Sequence, residues 1–68
     1  MRIYRQQNEA SPLDVANAIR GFALLRGSAG ESAEAITLWR EARALYAELD
    51  LTPGVEECDI YLASLANQ

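Results

Sequence analysis

Apolar side chains recur at three- and four-residue spacing along most of the chain, and Gly, Pro and capping residues divide that pattern into three stretches. In the first, Val15, Ala18, Ile19, Phe22, Ala23 and Leu25 make one stripe behind the start signal Ser11-Pro12-Leu13-Asp14. Ser11 is placed to accept an orphan backbone N–H, Pro12 presets the first helical φ, and Asp14 puts an anion in the positive first turn. Gly27 weakens the last turn and Gly30 suits a left-handed closing residue, so a helix is predicted over about 12–28. In the second stretch Ala35, Leu38, Trp39, Ala42, Leu45, Tyr46 and Leu49 share a face that Ile36 widens. Its remaining positions are largely Glu, Arg and Ala, all good helix formers, which predicts a helix over about 31–50. Thr52-Pro53 repeats the cap-then-proline start, and Val55, Cys58, Leu62, Leu65 and Ala66 supply a third stripe over about 53–66. No stretch alternates apolar and polar residues long enough to make a strand. The fold class read from the pattern is all-α: an antiparallel helical hairpin plus a third helix, within a single domain of residues 1–68.

Composition narrows the function classes. With 68 residues, half of them hydrophobic, the chain holds one small core and is too apolar for a disordered segment. The six basic residues are all Arg and are outnumbered by ten carboxylates, giving a net charge of −4. Arg2, Arg5, Arg20, Arg26, Arg40 and Arg43 are interspersed with acids rather than clustered, so no nucleic-acid partner is expected. No apolar run approaches the ~20 residues of a membrane-spanning helix, and the first residues lack a signal-type apolar stretch. No membrane partner is expected, and the address is read as cytoplasmic. One cysteine allows no intrachain disulfide and supplies at most one soft ligand, so no metal site and no cofactor are expected.

Catalysis is equally poorly provided for. Without His or Lys the usual general bases and amine nucleophiles are missing. Cys58 falls on an apolar stripe and reads as a small buried hydrophobe. Glu56 and Glu57 are explained by the positive end of their helix, and Glu31, Glu34 and Glu41 by a solvated face pairing with Arg40 and Arg43. Trp39, spaced between Ala35 and Ala42, reads as core, whereas Tyr46 and Tyr61 sit near the edges of their stripes, where an interface anchor is ordinary. The chain is read as having no enzymatic activity and no catalytic residue.

A shift of about 40 residues lays the third helix over the first: Val15 meets Val55, Ala18 meets Cys58, Phe22 meets Leu62, Ala23 meets Ala63 and Leu25 meets Leu65. Ile3-Tyr4 likewise matches Leu45-Tyr46, as though the chain opens with the tail of a helix like the second. Within this repeat, Phe22-Ala23-Leu24-Leu25, Gly30-Glu31, Glu34-Ala35-Ile36 and Trp39-Arg40-Glu41-Ala42 carry a resemblance to the tetratricopeptide repeat family. Ala44 to Asp50 followed by Gly54 to Cys58 is similar to the roughly 40-residue variety of that repeat, and the likeness runs from Leu13 to about Ala66. Arg26 stands where the family usually has an aromatic residue, and Gly27 replaces a helix former beside it.

The resemblance implies a fragment of a superhelical stack, about one and a half repeats long. In it Ala23, Ala35 and Ala42 are the small contacts that let helices approach, and Trp39 fills the aromatic slot. It also implies a protein or peptide partner on the face lined by the first and third helices. That face presents Asn17, Arg20, Gly21 and Leu24 from the first and Glu57, Ile60, Tyr61 and Ser64 from the third. Asn17 and Arg20, one turn apart, suit a peptide backbone and a carboxylate, although Glu57 would repel the latter. Because stacked hairpins usually come in threes or more, the stripe of the third helix is expected to be covered by self-association in a homodimer, with Ile3, Tyr4 and Tyr61 as candidates for the same interface. The leading expectation is a protein-interaction module; the second is a purely structural self-assembling unit with no ligand groove.

Overall fold

The computed structural model describes residues 11–67, and these form three helices with no strand among them: α1 (Pro12–Ser28), α2 (Ser32–Glu48) and α3 (Thr52–Ala66). The chain is all-α. α1 packs antiparallel on α2 and α2 on α3, so α2 is the central element that both neighbours share. Ile3 and Tyr4, with the expected match to Leu45-Tyr46, lie outside the described residues.

The start of α1 forms as its sequence dictates: the Ser11 Oγ accepts a hydrogen bond from the Asp14 N–H at 3.2 Å, and Pro12 opens the helix. The matching start at Thr52-Pro53 does not form. Leu51 is the cap residue, no side chain bonds the first amides, and Thr52 is already helical, so its hydroxyl cannot cap.

The reason lies in the preceding turn, which has the same geometry as the turn before α2. After α1, the Gly30 N–H donates to the Gly27 carbonyl at 3.1 Å and the Glu31 N–H to the Arg26 carbonyl at 2.9 Å. After α2, the Asp50 N–H donates to the Ala47 carbonyl at 3.1 Å and the Leu51 N–H to the Tyr46 carbonyl at 2.9 Å. Both are Schellman closures, and each needs one left-handed residue: Gly30 at φ 82° and Asp50 at φ 57°. Each returns the chain to helix two residues later. The expected helix over 31–50 therefore loses Glu31, Leu49 and Asp50 to these closures, and the third helix begins one residue earlier than expected.

The core is small and centred on α2: Ala16, Ala23, Ala35, Trp39, Ala42, Tyr46 and Cys58 are buried, with Ile19, Leu24, Leu38, Val55, Leu62 and Leu65 among those packed against them. Trp39 is 1% exposed and stands between Ala35 and Ala42, both fully buried, as the spacing predicts. The single stripe expected on α1 is two faces. Ala16, Ile19 and Ala23 turn toward α2, while Val15, Ala18, Phe22 and Leu25 turn away, leaving Phe22 56% and Leu25 60% exposed. One neighbouring helix can cover only part of so wide an apolar arc. At the end of α1, where Arg26 and Gly27 stand, the backbone closure is accompanied by an exposed Arg26–Glu31 ion pair of 3.1 Å. Arg43, expected to pair along its own helix, instead reaches across to Asp59 on α3 at 2.6 Å.

Candidate functional site

α1 and α3 flank one side of α2 and leave a groove whose floor is aromatic. Trp39 from α2 and Tyr61 from α3 stack with ring centroids 4.4 Å apart and planes 7° from parallel. Offset stacking of this kind fixes both rings and stabilises by about 1 kcal/mol beyond the area it covers. The stacked pair closes one end of the groove, a hollow of about 260 Å³ with walls from Leu24, Gly27, Ser28, Ser64 and Leu65.

At the other end a hollow of about 340 Å³ lies between Asn17 and Arg20 on α1, Tyr46 below, and Pro53, Gly54 and Glu57 on α3. Tyr46 reaches this wall because Gly54 has no side chain: a Cβ there would stand 2.7 Å from Cγ of the Tyr46 ring. The approach lets the Tyr46 hydroxyl donate to Oδ1 of Asn17 at 2.5 Å, tying α2 to α1. Burial pushes the Tyr46 phenol above its ordinary range, so it stays a donor near neutral pH.

Between the two hollows Arg20 and Glu57 form a bar across the groove. Nε and Nη2 of Arg20 donate to the two carboxylate oxygens of Glu57 at 2.7 and 2.8 Å, a fork-to-fork arrangement. The hydrogen bonds from Arg20 hold the Glu57 carboxyl below its usual range against the opposing effect of burial, and the same bonds raise the Arg20 guanidinium. Both side chains are about a third exposed, at 37% and 35%, so the pair is anchored yet reachable from solvent.

Six of the residues expected on this face, Asn17, Arg20, Leu24, Glu57, Tyr61 and Ser64, line the groove together. Ile60 does not. It lies two positions from the buried Cys58, hence on the far side of α3, and is 69% exposed there. The pairing differs from expectation as well. Arg20 does not wait for a ligand carboxylate, because Glu57, read as a repulsive neighbour of such a ligand, is its own partner. Asn17 has its carbonyl occupied by Tyr46 and retains its amide N–H groups for a ligand. Trp39 and Tyr46, read as core and as a stripe edge, also form the floor. A signal for the second was present in Gly54, since glycine inside a helix marks close approach of another group.

Cys58 is fully buried and its thiol is pushed up, chiefly by burial, which leaves it a packing group. Among the described residues no group of three or more His, Cys, Asp or Glu side chains is arranged to hold a metal ion, and no helix is long and apolar enough to cross a membrane. No protein-family model matches the chain, and neither the curated proteins nor the solved structures yield a match.

Proposed function

We propose that the chain is a protein-interaction module of tetratricopeptide-repeat type, which receives a partner or peptide segment in the α1/α3 groove, associates with itself, and acts without catalysis or cofactor in the cytoplasm. The observation that carries this reading is the groove itself. Its aromatic floor and the apolar wall of Leu24 and Leu65 offer an anchor site, and Ser28, Ser64 and the amide of Asn17 offer hydrogen bonds to a peptide backbone. The Arg20–Glu57 bar presents both charges at once, so a ligand of either sign displaces one half of it. This favours segments with no strong net charge and disfavours a lone terminal carboxylate.

The test is a selection of random twelve-residue peptides displayed on phage. Enriched peptides are expected to bind the wild-type chain and to lose at least about tenfold in affinity against Leu24→Glu and against Ser64→Trp, which fills the hollow from an exposed position. Amide chemical shifts are expected to move at Leu24, Tyr61 and Ser64. No enrichment, or binding indifferent to both substitutions, would remove the groove from the account.

A second reading, a structural self-assembling unit without a groove ligand, is favoured by a different observation. Among the described residues the large exposed apolar side chains concentrate on α1, where Leu13, Val15, Phe22 and Leu25 are 38–60% exposed, while α3 exposes Ile60 alone of its large ones.

A further inference from the structure

We infer that the segment taken by the groove carries a carboxylate and a cation on neighbouring residues, laid against the Arg20–Glu57 bar with their order opposed to it. The inference rests on the groove reading above and names the ligand chemistry which that reading leaves open. The bar is unfinished on both halves. Arg20 spends Nε–H and one hydrogen of Nη2 on the two oxygens of Glu57, at 2.7 and 2.8 Å. A guanidinium has five N–H groups, so the parallel pair on its Nη1/Nη2 edge is left over. Each Glu57 oxygen likewise keeps a second lone pair. With 37% and 35% of these side chains exposed, a second layer of partners can form without breaking the first.

Geometry and charge together choose that layer. The spare N–H groups point back toward the α1 flank and the spare lone pairs toward the α3 flank. Partners at bond lengths of about 2.9 Å therefore stand roughly 6 Å apart, too far for one hydroxyl or one amide to serve both. A lone charge fares poorly. An anion about 4 Å from Arg20 lies about 6 Å from Glu57, and since Coulomb energy falls as 1/r, the repulsion offsets about two-thirds of the attraction. A lone cation meets the mirror-image problem. An acid facing Arg20 and a base facing Glu57 attract each other as well, and the four charges alternate in sign. In an extended segment running along the groove, successive side chains point to opposite flanks, which places such a pair on adjacent residues. The register then fixes a third position. Leu24 and Tyr61 follow Arg20 and Glu57 by one helical turn, about 6 Å, and line the hollow of about 260 Å³. Two residues of extended chain cover about the same distance, so a large apolar side chain two positions from the pair reaches the hollow.

The twelve-residue phage selection described above tests this when read for composition. Wild type is expected to enrich adjacent acid and base residues, and replacing either with Ala in a synthetic peptide is expected to weaken binding about threefold to fivefold by fluorescence anisotropy. Arg20→Leu is expected to shift the enriched peptides toward basic residues and Glu57→Leu toward acidic ones. The double variant Arg20→Glu with Glu57→Arg keeps a bar of inverted sense. It is expected to prefer, by about tenfold, the peptide with its acid and base exchanged. Far-UV circular dichroism and Trp39 fluorescence confirm that each variant is folded, and the Ala series on wild type needs no variant. Peptides that depend on Leu24 and Ser64 but carry no acid–base pair, or charges of one sign only, overturn the inference and keep the groove. A double variant indifferent to the exchange does the same. No enrichment at all, with the groove empty or filled by residues 1–10 of the chain, overturns both.

Discussion

α1 and α3 carry the same stripe forty positions apart, and the molecule treats the two copies oppositely. Val55, Cys58, Leu62 and Leu65 turn into the core, Cys58 to 0% exposure, whereas Val15, Ala18, Phe22 and Leu25 face outward. α1 instead offers α2 its other side, through Ala16 and Ala23. Both helices have apolar groups on more of their circumference than one neighbour can cover. α2 follows α1 and precedes α3, so it meets one of them on each flank and takes a different part of the arc from each. An apolar residue therefore marks a place that wants covering; the neighbour's position decides whether it is covered.

This contrast can be broken or sharpened by substitution, beginning with the residue on which both flanks depend. Trp39→Ala removes the side chain that fills the middle of the core and supports Tyr61. It is expected to cost about 3–5 kcal/mol, enough to abolish the cooperative urea transition of so small a domain. Next come matched pairs at equivalent positions. Cys58→Ser buries a hydroxyl and is expected to cost about 1–3 kcal/mol by urea midpoint, while Ala18→Ser stays within about 0.5 kcal/mol. Equal effects would erase the contrast. Gly54→Ala drives a methyl into the base of the Tyr46 ring and is expected to cost about 1–3 kcal/mol, against under about 0.5 for Asp14→Ala corrected for its helix-end charge.

The two turns make a smaller pair. Gly30→Ala forces a side chain into left-handed backbone and is expected to lose about 1 kcal/mol. Asp50→Gly relieves the same strain and is expected to gain up to about 1 kcal/mol in thermal unfolding. The smallest effect is electrostatic. Glu57 has a folded-state pKa below its unfolded one, so its pairing with Arg20 stabilises above the unfolded value and fades as pH falls through the folded value. Because both groups are about a third exposed, the loss on acidification from about pH 6 to pH 3 is expected to be no more than about 1 kcal/mol. It is measured as the difference between wild type and Glu57→Gln in urea midpoint across that range.

Much of the framework was legible in the residues. The limits of α1, the buried Trp39 between Ala35 and Ala42, the left-handed Gly30 and the buried Cys58 follow from periodicity, proline and glycine chemistry that act within a few residues. The same local rules failed at Thr52, where a cap-like dipeptide lost to the backbone closure made by Leu51 and Asp50. They also failed at Phe22, whose stripe position was right and whose burial was not. At the groove, the shared face of Asn17, Arg20, Leu24, Glu57, Tyr61 and Ser64 came from the resemblance and its repeat register, and the six do line one groove. Which of them pair with each other did not. The Arg20–Glu57 bar joins residues 37 positions apart, and the Asn17–Tyr46 bond spans 29.

What the sequence determined alone is therefore the set of helices, nearly to their ends, and the membership of the core of α2, because hydrogen bonding and side-chain period act along the chain. Tertiary structure decided which arc of α1 is covered, which charges neutralise one another, and that Tyr46 lies over Gly54. Those outcomes depend on distances between helices, and no local rule contains them until α2 has taken its place between its two neighbours.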